Sequence, residues 1–172
     1  PAALLGAAFV FLSPKDLPAQ TVTHAEIQGQ AQYQAADTEV WTDASAGLEL
    51  HENDSVKTGS DGGATIIFHD SSSSRLGPNS EILIENASID DKNQTIGVRL
   101  TSGRVWSRIL KLLDKDTTFE VRTSSTVATV RGTTLDVAVD AEETSTVAVA
   151  DGTVNVAAVE TERATDEKTG KP

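Results

Sequence analysis

From Ala25 the chain alternates: Ala25, Ile27, Gly29, Ala31 and Tyr33 are small or apolar, and Glu26, Gln28, Gln30, Gln32 and Gln34 between them are polar. A period of two predicts one half-buried strand here, because successive side chains of a strand point to opposite faces. The rhythm returns at Ala64, Ile66 and Phe68, and again at Ile82 and Ile84 beyond the turn-rich segment "HDSSSSRLGPNS". It continues through Ile96, Val98 and Leu100, then restarts after Gly103 at Val105, Ser107 and Ile109. Phe119 and Val121, Leu135, Val137 and Val139, Val147 and Val149, and Val154 and Val156 complete it. Many short strands separated by turns predict an all-β domain of antiparallel strands, arranged as a sandwich or as a β-solenoid. One stretch, "SRILKLLDK" at 107–115, has Ile109, Leu112 and Leu113 at helical spacing; it reads as a single helical turn or as a strand extension with a bulge.

The ends depart from this pattern. "PAALLGAAFVFL" is uncharged and apolar, and it stops at "SPKDLP", where two prolines end any helix. A spanning helix needs about 20 residues, so residues 1–13 are expected to be the last part of a transmembrane helix; a signal-peptide core or a buried core helix are the alternatives. The expected organisation is then a linker at 14–24, the β domain at 25–160 and a polar flexible tail at 161–172. With no methionine anywhere in the sequence, a processed product or fragment is expected.

Composition narrows the chemistry. Aromatic residues make up 4%, so the core rests on small and β-branched aliphatics. The net charge of −12, spread along the chain, opposes nucleic-acid binding, which needs a basic surface to neutralise phosphates. The absence of cysteine excludes disulfides and thiolate metal sites.

No catalytic pattern emerges. His24, His51 and His69 lack metal or catalytic spacing, although His51 and His69 are placed to approach each other if their strands are neighbours. Serines 71–74 have no nucleophile elbow and read as a flexible connection. "DDKNQTIG" at 90–97 lacks the glycine and distal glutamate of a calcium loop and reads as a polar turn. Trp106 lies on the face opposite Val105, where it covers a sheet edge or meets a partner; Trp41 is open to the same two readings. No metal, cofactor or enzymatic activity is therefore expected.

Arg131 and Gly132 interrupt the β-rich run "STVATVRGTTLDVAV". They mark either a site where Arg131 meets a ligand or a corner between two strands that glycine accommodates, and the corner is the favoured reading. In order along the chain, "LHENDSVKTGSDGGATIIFHDSSSSRLGPNSEILI", "LTSGRVWSRI", "FEVRTSSTVATVRGTTLDVAV" and "TVAVADGTVNVAA" resemble the FecR-like domain family over residues 27–159. The sharpest matches are Gly103, Arg104, Val105 and Trp106, then Val130, Arg131, Gly132 and Thr133, and finally Asp151 and Gly152 in the last hairpin. Two turns depart from the family pattern: Asn53-Asp54 stands for Gly-Asp, and Asp70-Ser71-Ser72 for Asp-Gly-Ser. Asparagine tolerates left-handed backbone; serine does so less well, so a longer, differently shaped connection is expected at Ser71–Ser74.

The resemblance implies a non-enzymatic domain outside the cytoplasm of a bacterium, tethered by a single membrane helix, that binds a protein partner in signal transduction. A structural or scaffold module of the cell envelope is the alternative.

Overall fold

The computed structural model describes residues 23–89, 93–111 and 116–159. The expected membrane helix at 1–13, most of the linker and the tail lie outside the described residues. Fourteen strands follow in order: β1 (Thr23–Gln28), β2 (Ala31–Gln34), β3 (Thr42–Asp43), β4 (Leu48–Leu50), β5 (Ser55–Thr58), β6 (Gly63–Ile67), β7 (Ser73–Leu76), β8 (Glu81–Ile89), β9 (Asn93–Arg108), β10 (Asp116–Arg122), β11 (Thr126–Val130), β12 (Thr134–Val139), β13 (Ser145–Asp151) and β14 (Val154–Ala158). No helix occurs among the described residues, and none is long and apolar enough to cross a membrane.

The strands form one curled sheet in two layers. The first runs β4-β1-β6-β7-β9-β12-β13. The second runs β3-β2-β5-β8-β9-β10-β11-β14. Strand β9 belongs to both: residues up to Ser102 pair with β8 and β10, and residues from Gly103 pair with β7 and β12. Described pairings are antiparallel except β9 with β10, which is parallel. A single core fills the space between the layers, with Phe68 of the first meeting Phe119 of the second edge-on, centroids 5.4 Å apart at 76°. That geometry places the positive ring edge on the negative face.

The chain passes repeatedly from one layer to the other, as a solenoid turns its corners, yet it closes as a sandwich. This separates features that sequence alternation runs together. The expected single strand from Ala25 is two: Gly29 has φ +64°, β1 ends in the first layer and β2 begins in the second. The alternation survives the break because both pieces bury their small and apolar positions. At the other doubtful stretch, β9 extends through Arg108, residues 109–111 are irregular, and 112–115 lie outside the described residues. Of the expected polar turn at 90–97, residues 93–97 are already strand β9, and 90–92 lie outside the described residues.

The Ser-rich connection is neither long nor open. Ser71 adopts φ +65° and closes a tight turn, its N–H donating to the Phe68 carbonyl at 2.8 Å. Asp70 supports the turn by accepting from the Ser72 N–H at 2.8 Å and from the Ser72 hydroxyl at 2.9 Å, which offsets the poor fit of serine to left-handed backbone. Ser73 and Ser74 are already strand β7, and Ser72 and Ser74 are fully buried. At the other departure from the family pattern Asn53 has φ 69°, and the buried Asp54 carboxylate accepts the N–H groups of Ala36 and His51, each at 2.9 Å.

Candidate interaction surface

The residues singled out in the sequence fall into two groups. Val130, Arg131, Gly132 and Thr133 carry the chain from β11 in the second layer to β12 in the first, and Asp151 and Gly152 carry it back from β13 to β14. These corners touch. The Thr133 hydroxyl donates to the Thr153 carbonyl at 2.9 Å, and the Ile109 N–H donates to the Thr133 carbonyl at 2.9 Å. Gly132 has φ +58°, and a Cβ there would lie 2.7 Å from the Lys111 Cβ. Both the backbone and the space therefore require glycine. Inward positions change from even (Ala128, Val130) to odd (Thr133, Leu135, Val137) across this corner. Arg131 is exposed at its outer side.

Gly103 works in the same way inside β9. Its φ is +81°, and a Cβ would lie 2.3 Å from the Ser80 Oγ and 2.6 Å from the Asn79 carbonyl oxygen. Before it, Ile96, Val98 and Leu100 face inward; after it, Val105, Ser107 and Ile109 do. Without this change of phase Arg104 and Trp106 would point into the core. With it, they point out.

The result is an ordered outer face. Arg104, Trp106 and Arg108 occupy every second position of β9 and are all exposed, Trp106 by 44%. The register sets Arg75 of β7 beside Trp106 on one side and Asp136 of β12 beside it on the other. Trp106 is the centre of a cross, with Arg104 and Arg108 each about 7 Å along the strand, two steps of β rise. Arg104 Nε donates to both Asp136 carboxylate oxygens at 2.8 and 2.9 Å, and its Nη2 completes the ion pair. These hydrogen bonds, and then the Asp136 charge, raise the Arg104 pKa, so its guanidinium stays charged at any accessible pH. Arg75, Leu76, Gly77, Arg104 and Trp106 line a shallow cavity of about 120 Å³. Alternation in the sequence was enough to put Arg108 with Arg104 and Trp106; Arg75 and Asp136 join them only through strand register, which the sequence does not display.

The remaining candidates are dispersed. His51 lies beside Asp54, its Nδ1 3.6 Å from the carboxylate. It does not meet His69, because β1 separates β4 from β6. Among the described residues neither ring nitrogen of His69 has a hydrogen-bond partner. His24 is exposed on β1. Trp41 is covered on one face by Lys57, whose Nζ lies 4.0 Å from the ring centroid, a cation–π contact. A polar cleft of about 540 Å³ lies nearby, with Gln30, Gln32, Asp43 and Lys57 on its walls. Among the described residues no group of three or more acidic or histidine side chains is placed to hold a metal ion.

Residues 54–155, more than half of the chain, match the model of the family described as FecR protein. The chain belongs to the FecR family. The match begins just before β5 and ends within β14, so β1–β4 extend the FecR-matched segment at the outer edge of each layer. Two crystal structures, at 1.65 and 2.50 Å resolution, of a candidate anti-sigma factor from Parabacteroides distasonis ATCC 8503 share the fold, each with a TM-score of 0.50. Sequence identity is 17% and 18%, and the likeness covers 62% of this FecR chain. The FecR chain spans about half of theirs, 48%. No curated protein matches the sequence.

Proposed function

We propose that this chain is a non-enzymatic regulator in signal transduction, whose β domain lies outside the bacterial cytoplasm, is tethered by the apolar segment at its start, and works by binding a protein partner. The match of residues 54–155 to the FecR family carries this reading. Its fold likeness to a candidate anti-sigma factor agrees with it. The site chemistry also agrees, since the outer face of β9 is an ordered, exposed surface of charged and aromatic side chains and the glycines at Gly103 and Gly132 serve the backbone.

The test is genetic. The source bacterium, with codons 54–155 removed from the native gene, is compared with wild type by transcript sequencing. A coherent set of transcripts that rises or falls is expected. Unchanged transcription together with a weakened envelope would overturn regulation and favour the scaffold.

A further inference from the structure

We infer that the outer face centred on Trp106 docks an extended acidic peptide segment of a protein partner, with its carboxylates paired to Arg75 and Arg108 beside the indole; the identity of the surface rests on the partner-binding reading above. Three observations carry it. The chain has a net charge of −12, yet Arg75, Arg104 and Arg108 surround one exposed tryptophan on adjoining strands, with Asp136 as the single carboxylate among them. Arg104 is committed to Asp136, whereas neither Arg75 nor Arg108 has an ion pair among the described residues. The cavity of about 120 Å³ beside Trp106 is walled almost wholly by apolar atoms of Arg75, Leu76, Gly77, Arg104 and Trp106, and it has room for the aliphatic stem of one side chain.

The spacing selects the occupant. Side chains on one face of an extended peptide repeat about every 7 Å, the same step that separates Arg104, Trp106 and Arg108. Carboxylates at alternate positions therefore fall in register with the arginines, and the fork of each guanidinium favours carboxylate pairing in two-point geometry. An anionic bilayer fits less well. The basic area is small, Glu26 lies three strands from Trp106 in the same cross-strand row, Asp151 ends the adjacent row beyond Arg108 and Thr134, and the net charge of the whole chain repels such a surface.

The probe is a peptide of four Glu-Thr repeats, set against one of four Gln-Thr repeats, titrated into isotopically labelled full chain while the Trp106 indole N–H resonance is followed. The glutamate peptide is expected to shift that resonance and the glutamine peptide to leave it in place. Arg75→Glu with Arg108→Glu is expected to weaken binding at least tenfold, as is Trp106→Ala, and raising salt from about 50 to about 500 mM weakens it severalfold through screening. Equal response to both peptides, or binding indifferent to charge reversal, overturns the proposal. So does arginine-dependent sedimentation with phosphatidylglycerol vesicles in the absence of any peptide response, which assigns the face to a membrane. The charge-reversed chain is then placed in the source bacterium. A transcript response like that of the deletion supports the surface. A deletion response with unaltered transcription in the charge-reversed strain rejects the surface and keeps the regulatory reading. If the deletion itself has no effect the regulatory reading fails, and the peptide titration alone decides the surface.

Discussion

The hydroxyls of Ser74 and Ser107 meet 2.8 Å apart across the β7–β9 pairing, directly opposite in register and with no exposed surface. Each is the hydroxyl partner of the other. Removing one leaves the other buried without a partner, which costs about 1–2 kcal/mol, whereas removing both takes away the unmet group as well. Ser74→Ala and Ser107→Ala are therefore expected to lower stability singly, and the double variant to lose clearly less than the sum. Denaturant titration of the four proteins gives the coupling directly; strict additivity would contradict the pairing.

Gly132→Val is expected to destabilise the domain by about 1–3 kcal/mol, since a β-branched residue is strained at left-handed backbone. Its Cβ would also press on the Cβ of Lys111, an atom that a change of rotamer does not move. Equal melting temperatures for wild type and variant would remove the corner explanation.

Ser71→Gly is expected to act in the opposite direction. The left-handed conformation costs a non-glycine residue roughly 1–2 kcal/mol, more than the roughly 0.5–1 kcal/mol of chain freedom that glycine loses on folding. A gain of up to about 1 kcal/mol should appear as a higher denaturation midpoint with an unchanged slope. A lowered midpoint would mean that the Asp70–Ser72 hydrogen bonds already remove the strain.

The strand pattern was legible because burial here depends on alternation. Ile96, Val98 and Leu100, then Val105, Ser107 and Ile109, give the inward faces of β9 on either side of Gly103 without any structure. What alternation does not carry is pairing. The parallel contact of β9 with β10 and the meeting of Arg75, Trp106 and Asp136 depend on register between strands distant in sequence. The serines misled for a related reason. Polar composition looks like a loop, but Ser72 and Ser74 are small, and each hydroxyl finds a partner in the core. The break at Gly29 was hidden because both layers bury the same kind of residue.

The extracytoplasmic placement can be tested with one thiol, because the chain has no cysteine. Ala141 is exposed in the turn between β12 and β13 and tolerates the change, whereas the buried Ser72 does not offer a reactive site. Ala141→Cys in cells with a permeabilised outer layer is expected to react with a membrane-impermeant maleimide while the inner membrane is intact. Protection until lysis would place the domain in the cytoplasm.

Strand β9 is hydrogen-bonded in both layers, to β8 and β10 before Gly103 and to β7 and β12 after it. Neither layer therefore has a backbone of its own to melt along. Loosening one strips partners from a strand that is structural to the other, so the described domain behaves as one cooperative unfolding unit. A load pulling on the outer face of β9 is carried through one continuous peptide strand into the opposite layer.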